Sequence, residues 1–486
     1  MLPPSPIRPA IDALQHFGRA ARNTYDPVLR IGVTGLARSG KTVFTTALVH
    51  HLITPGDLPA LRVSGEGRLR RARLVPQPDD AVARFAYEDH LARLTQARQW
   101  PQSTSRISQL RLAIDYERGA GRWVSGSARL ALDIVDYPGE WLLDLTLMDE
   151  SFADWSREVV AQARQPERAA IAGDFLAQID VLDPAAPADE QRIARLSDVF
   201  KAYLQALRQG PEAIATTPPG RFLMPGDLAG SPALTFAPLI LDAGTALVRG
   251  SIAELMQRRF EAYKRHVVEP FFRDHFRNLD RQIVLVDVLS ALDGGARALA
   301  ELEHALDRVL LAMRAGRNSW LTRLFAPRTE RILFAATKAD HLHQTQHRRL
   351  EAILRHLVER AIRRMRAAGG EVGAIAIAAL RATHETTVRD GADIVRAVAG
   401  TPEAGERIAD TLFDGTAEAA VFPGDLPEDP TRVFADEKHG GIAPGSLRFP
   451  RFRPPAAPGH LPGRKPRLPH IRLDRALEFL IGDHLR

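Results

Sequence analysis

A chain of 486 residues, 45% of them hydrophobic, is long enough for about two to four domains or one enlarged domain. Its lack of cysteine excludes a disulfide framework, a thiolate zinc site, an iron–sulfur cluster and a cysteine nucleophile. The net charge of +6 comes from 59 arginines and six lysines against 59 acids, spread along the chain, and aromatic residues are only 6%; the pattern of rings interleaved with a basic patch is not evident, and no nucleic-acid partner is expected.

The arm of residues 1–27 has scattered prolines and arginines but no apolar run of secretory-signal length, and Ile11–Ala21 is only weakly amphipathic, suiting either a membrane-surface contact or docking on the core. Val28–Gly35 (VLRIGVTG) is a short apolar run that stops at glycine, and apolar residues at helical spacing follow over 43–52, so the expected order is strand, loop, helix. Residues 55–75, rich in Gly, Pro and Arg, read as a loop or irregular insertion, and 79–97 as a helix. Ile107–Tyr116 and Arg129–Asp136 alternate apolar and polar residues around a glycine-rich turn, which predicts a hairpin.

From about 145 to 280 the pattern turns helical, with Phe152, Trp155, Val159 and Val160 on one face and similar faces over 188–208 and 251–277, broken by a Pro/Gly-rich stretch at 209–237. Its most apolar part, Ala233–Val248, is interrupted by Pro238, Asp242 and Gly244, so no membrane span is expected and a cytoplasmic location is the default. Strand signals return at 282–289, 331–336 and 374–379. Between them lie stripes of Leu299, Leu302, Leu306, Val309 and Met313, and of Leu350, Ile353, Leu354, Leu357 and Ile362. Strands alternating with such helices predict an α/β fold with a mainly parallel sheet. The expected organisation is a core of 28–145 and 280–385, an all-helical insertion at 146–279, and a loop-rich segment at 386–486. The last ends in a proline-rich basic stretch, 444–470, and a helix over Leu473–Leu485. Arg448, Arg451, Arg453, Arg464, Lys465 and Arg467 make that stretch either a site for anionic lipid or an acidic partner, or a linker that lets Leu473, Leu477 and Leu480 dock on the core.

Gly35-Leu36-Ala37-Arg38-Ser39-Gly40-Lys41-Thr42 fits G-x-x-x-x-G-K-[ST] between a predicted strand and a predicted helix, the context a P-loop requires. The glycines let backbone N–H groups turn toward a phosphate chain at a helix N-terminus, Lys41 reaches the β and γ phosphates, the Thr42 hydroxyl ligates Mg²⁺, and the Val43 N–H reaches the α phosphate. By composition the pattern arises by chance roughly 0.003 times in such a chain. Asp136-Tyr137-Pro138-Gly139 closes an apolar strand as D-x-x-G, an aspartate placed to hold Mg²⁺ through water and a glycine N–H placed for the γ phosphate. Thr337-Lys338-Ala339-Asp340 fits [NT]-K-x-D, in which the carboxylate accepts N–H bonds from N1 and the exocyclic amine of guanine. His343 and His347 have a zinc-compatible spacing but no third ligand, and exposed positions on a helix are expected for both.

With these motifs the chain resembles the Ras-like GTPases and, among P-loop proteins, the bacterial YcjX-like family. The resemblance rests on GVTGLARSGKT at 32–42, WPQSTSRISQLRL at 100–112, DIVDYPGEWLLDL at 133–145, DRQIVLVDVLSAL at 280–292, ATKADHL at 336–342 and PHIRLDRALEFLIGDHL at 469–485, which span nearly the whole chain. It implies a Ras-like core that binds GTP or GDP with Mg²⁺, with Thr104 as the switch threonine on Mg²⁺, Ser103, Trp100 and Arg106 beside it, and Arg106 a candidate arginine finger. Ala378-Ala379-Leu380 takes the place of the Ser-Ala-x backbone contact to guanine, and His341 lies beside the base. The resemblance also implies a role in bacterial stress responses, a protein effector or activator, and a neighbouring inner-membrane protein or peripheral membrane contact. Glu140 stands where many small GTPases have the glutamine that orients water. A carboxylate there is disfavoured beside a γ phosphate unless protonated or paired, so slow or partner-stimulated hydrolysis is expected. A P-loop ATPase and a scaffold that holds GDP without turnover are the alternatives.

Overall fold

The computed structural model describes residues 27–486 apart from 37, 55, 103–105, 120–125, 210–216, 242–246, 274–277, 313–329, 368, 391–392, 409–410, 436–440, 443–444 and 457–465. The arm at 1–26, Ala37, Ser103, Thr104, Met313, Arg464 and Lys465 therefore lie outside the described residues. The main sheet is built from β1 (Val28–Gly35), β2 (Leu69–Val75), β3 (Ala83–Arg84), β4 (Ser108–Glu117), β5 (Ser127–Asp136), β6 (Arg281–Val286), β7 (Arg331–Ala336) and β8 (Glu371–Ala376). Its order is β2-β4-β5-β1-β6-β7-β8, with β3 on β4. The β5, β1, β6, β7 and β8 neighbours pair in parallel, while β4 runs antiparallel to β5 and β2. Every residue of β6 is buried, as expected for a central strand covered on both faces.

One face carries α1 (Lys41–Ile53), while α2 (Tyr87–Thr95) packs against α1. Between β5 and β6 lie α3 (Phe152–Ala163), α4 (Glu190–Gln209) and α5 (Ile252–Tyr263), whose inward residues Trp155, Phe200, Tyr203 and Phe260 form an aromatic cluster continuous with the opposite face of the sheet. That face also receives α6 (Gly295–Ala312) and α7 (His347–Leu357). The last helix, α8 (Leu473–Ile481), returns beside α1, burying Leu473, Leu477 and Leu480 completely. Docking of this helix thus accounts for the apolar face expected there. Arg281 at the start of β6 fixes the return by pairing with Asp483 at 3.0 Å.

Several sequence expectations are corrected. Within 55–75 the chain forms a helical turn, Arg62–Gly65, and the edge strand β2, whose Arg70 and Arg73 pair with Glu117 and Asp115 of β4. An arginine-studded edge strand has little apolar alternation to read, and its charges blunt an otherwise open sheet edge. The helix expected over 79–97 begins only at Tyr87, after β3, and the last core strand runs three residues earlier than expected. Beyond 385 the chain is not simply loop-rich: β9 (His384–Asp390), β10 (Asp393–Gly400) and β13 (Ala419–Val421) form an antiparallel sheet, with a hairpin of β11 (Arg407–Ile408) and β12 (Thr411–Leu412) inserted. Among the described residues its apolar cluster is Ala382, Val398, Val421 and Phe452, with the small Ala397 and Ala399 also buried, too little to impose a clear apolar period. His347 is buried, with Nε2 3.2 Å from the Leu342 carbonyl, so it is not the exposed helix residue expected.

Candidate functional site

The turn between β1 and α1 is shaped by its own backbone. Gly40, at φ 86°, occupies the left-handed region that favours glycine immediately before α1. Arg38 takes a left-handed conformation too, at φ 60°. The Ser39 hydroxyl donates to the Leu36 carbonyl at 2.8 Å, and the Lys41 ammonium donates to the carbonyls of Gly35 at 2.9 Å and Leu36 at 3.1 Å. Burial lowers the Lys41 pKa to about 8, against the raising influence of the Asp136 carboxylate and with a further lowering by Arg208.

Asp136 ends β5 beside Val33 of β1 and is buried, as is Thr42. Below them the hydroxyl of Tyr137 meets that of Thr34, and Gln282 Nε2 donates to the Thr34 hydroxyl at 2.7 Å, a buried polar group that joins β1, β6 and the loop after β5. That loop presses on the turn between β1 and α1: a Cβ on Gly139 would lie 1.8 Å from the Gly35 carbonyl oxygen and 2.8 Å from Lys41 Nζ. Only glycine fits there. Glu140 is buried and forms an ion pair with Arg208, from the last turn of α4. Three further contacts hold the same segment: Asp144 accepts the Gly220 N–H at 2.6 Å and the Tyr263 hydroxyl at 2.6 Å, and the Arg221 guanidinium lies 3.3 Å from the centre of the Trp141 ring. Burial raises Asp144 to about 6 despite these donors.

The opposite side is built at the ends of β7 and β8. The Thr337 N–H donates to the Val286 carbonyl at 3.0 Å, and Lys338, at φ 60°, turns its ammonium to Asp287 at 2.5 Å. Burial alone would raise the Asp287 carboxyl, but the Lys338 cation and the Ser290 bonds bring it below its ordinary value. Asp340, 4% exposed, accepts the Ala382 N–H on Oδ2 at 2.8 Å. His341 is buried edge-on to Phe452 at 5.3 Å, and burial lowers its pKa. Ala378 exchanges backbone bonds of 3.1 and 2.8 Å with Ile471, just before α8.

The turn before α1, Glu140 and the ends of β7 and β8 open on one cavity of about 340 Å³. It is lined by Arg38, Ser39, Gly40, Lys41, Thr42 and Val43, by Trp100 and Glu140, by Thr337, Lys338, Asp340 and His341, and by Ala378, Ala379 and Leu380. Gly35 and Leu36 stand behind the turn, where their carbonyls hold Lys41. Asp136 and Gly139 are not among the lining residues; Arg106 is exposed and also outside the lining. Glu403, Arg451 and Phe452 of the C-terminal segment complete the wall, a contribution the sequence reading missed because it lies over 300 residues from Trp100. The Trp100 indole N–H donates to the Phe452 carbonyl at 2.8 Å, which seats that wall. Arg208 was missed as well, one arginine among 59 with no motif around it.

Thr42 and Asp136 offer a hydroxyl and a carboxylate, hard oxygen donors of the kind Mg²⁺ takes alongside water and phosphate. Among the described residues no group of three or more His, Cys, Asp or Glu forms a metal cluster, and no helix is long and apolar enough to cross a membrane.

Comparison with known proteins adds the family. The chain is 35% identical over 474 residues to the Ras-like GTPase YcjX of Escherichia coli (strain K12), covering 95% of this chain and 97% of that protein. It is 34% identical over 483 residues to the Ras-like GTPase YcjX of Shewanella oneidensis, covering 95% of this chain and 96% of the relative. A solved signal recognition particle receptor SRb-GTP/SRX complex from Chaetomium thermophilum matches 76% of this chain and 94% of its own at 13% identity, with a TM-score of 0.25 too low to bear on the fold. The model of the YcjX-like family, DUF463, matches residues 29–485, so the chain belongs to that family.

Proposed function

We propose that the chain is a guanine-nucleotide-binding protein that hydrolyses GTP to GDP and phosphate with Mg²⁺, as a nucleotide-dependent switch. The observation that carries this reading is the convergence of Lys41, Thr42, Glu140 and Asp340, from motifs up to 300 residues apart, on one cavity. The names of the two relatives point the same way.

In this reading the turn from Gly35 to Thr42 cradles the phosphates, and Lys41 exchanges its backbone carbonyl partners for β and γ oxygens. Thr42 and Asp136, with Thr104, are the residues that would hold Mg²⁺, which would supply charge neutralisation at the phosphate oxygens. The free carboxylate oxygen of Asp340 reads N1 and the exocyclic amine of guanine, the chain at Ala378–Leu380 offers backbone N–H to the guanine carbonyl, and Trp100, His341 and Phe452 exclude water from the base. Glu140 does not act as a free base here, since its carboxylate is already paired. Intrinsic hydrolysis is accordingly slower than one turnover per second, and a protein effector, activator or inner-membrane partner senses the segments near Thr104 and Asp136.

Phosphate release from GTP and ATP, with Mg²⁺ and with EDTA, tests the reading. GTP-specific, Mg²⁺-dependent release that Lys41→Ala abolishes is expected. Equal turnover of ATP would favour the ATPase, and tight GDP binding without any release would favour a scaffold.

A further inference from the structure

Glu140 and Arg208 come from different parts of the chain, and their meeting is not explained by the motif that contains Glu140. Arg208 lies in the last turn of α4, whose residues Leu196, Phe200, Tyr203 and Leu204 are locked in the aromatic core. A side chain on such a helix is presented from a rigid base. From there its guanidinium reaches the Glu140 carboxylate; the two side chains are 18% and 6% exposed. Glu140 lines the cavity beside Lys41 and Thr42, and Gly139, just before it, sits against Lys41 Nζ. Glu140 therefore stands where, in the reading above, the turn holds the terminal phosphate; Arg208 is not itself among the lining residues and meets the cavity through Glu140.

The segment is held from the other side as well. The backbone of Gly220 packs on Glu140, where a Cβ would come within 2.0 Å of its carbonyl oxygen, and Asp144 binds the backbone at Gly220. One guanidinium nitrogen is committed to Glu140. The remaining N–H groups of the planar fork are of the number and geometry that phosphoryl oxygens accept in pairs. Arg38 and Lys41 both line the cavity and are near enough to Arg208 for the charges to act on one another.

We propose that Arg208 is a built-in catalytic arginine for GTP hydrolysis, held in position by Glu140, and that it hydrogen-bonds the γ-phosphoryl oxygens as charge builds on them. This rests on the GTPase reading above. In the step, the oxygen of a water molecule bonds to the γ phosphorus, the bond to the β–γ bridging oxygen breaks with its electron pair remaining on GDP, and the water's proton ends on inorganic phosphate. Arg208 gives up no proton; it stabilises charge. Neither Arg106 nor Arg208 lines the cavity, but Arg106 is exposed whereas Arg208 is paired with the lining residue Glu140, which is why the role is proposed for Arg208.

The test compares the full-length parent with Arg208→Ala, Arg208→Lys, Arg208→Gln and Glu140→Ala in three measurements: GDP affinity, single-turnover GTP hydrolysis, and binding of GDP with aluminium fluoride, a mimic of the transferring phosphoryl group. The parent is expected to bind GDP, hydrolyse GTP and form the aluminium fluoride complex. The three Arg208 variants should keep GDP affinity within about threefold yet lose hydrolysis by roughly 10³-fold, the range such arginines supply, and none should form the complex. Lysine fails because it lacks the fork. Glu140→Ala should also slow hydrolysis, and Glu140→Ala with Arg208→Ala should be no slower than Arg208→Ala alone. Arg208 variants that hydrolyse at the parent rate, or that lose GDP binding in step with hydrolysis, overturn the proposal. A parent that binds no guanine nucleotide overturns the GTPase reading itself, and one that binds GDP but never hydrolyses GTP overturns both.

Discussion

Asp340→Asn is a change of one atom at a position where the backbone dictates which way the new group faces. Asp340 is 4% exposed, and its Oδ2 accepts the Ala382 N–H at 2.8 Å. An asparagine must turn its amide oxygen to that donor, because the flipped orientation would set two buried donors against each other at a cost of about 1–3 kcal/mol. In the proposed complex its NH₂ group then faces the base. Guanine presents N–H donors on the same edge, so two charge-assisted bonds of about 1.5–3 kcal/mol each are lost. The expected loss of GDP affinity is about 10²- to 10⁴-fold. Xanthine carries a carbonyl in place of the exocyclic amine and gains a donor from the variant, so affinity for xanthosine diphosphate should rise over the parent. Isothermal titration with both nucleotides reads the exchange, and a thermal melt within a few degrees of the parent confirms that the Ala382 bond is kept. Unchanged GDP affinity, or no gain for xanthosine diphosphate, would refute the reasoning.

Gly139→Ala puts a methyl 1.8 Å from the Gly35 carbonyl oxygen and should displace the loop from the turn between β1 and α1, slowing the proposed GTP hydrolysis by about tenfold or more; a variant with parent kinetics would show that the loop is not fixed there. Leu477→Ala empties a fully buried site under α8 and should lower the unfolding free energy by about 2–5 kcal/mol, measured from the urea midpoint at unchanged slope, and a loss under about 1 kcal/mol would mean that the helix contributes little to the core. His51 is buried beside His470 and His50, and burial together with these rings lowers its pKa from 6.5 to about 3. The unfolded chain thus binds one more proton between those values, so this contribution is complete above pH 6.5 and is lost as pH falls toward 3, at up to about 1.4 kcal/mol per pH unit. His51→Leu should flatten the acid limb of stability against pH by that slope, and an unchanged limb would contradict the assignment.

The parts of the site that could be read in the sequence are those where chemistry forces residue type and spacing together. Gly40, Lys41 and Thr42 open a helix after a buried strand, and Asp136 and Asp340 each follow an apolar run that ends a strand. The two lysines in these motifs stand out because the chain otherwise uses arginine. What could not be read depends on distance. Arg208 sits on an ordinary amphipathic helix and gains meaning only because α4 ends above Glu140. Phe452, Arg451 and Glu403 reach the cavity because Trp100 bonds the Phe452 carbonyl, a contact across 352 residues. The sheet at 384–421 was hidden for a different reason, since its described strand residues are exposed or half-buried apart from Ala397–Gly400 and Val421, and its apolar cluster is small.

Isothermal titration of the unmodified protein with GDP and with ADP, at one Mg²⁺ concentration, tests the central claim most directly. GDP should bind at least about 100-fold tighter than ADP, since adenine has no N1 donor for Asp340 and buried polar mismatches cost at least about 1–3 kcal/mol each. Equal affinity for the two nucleotides, or no binding of either, would contradict it.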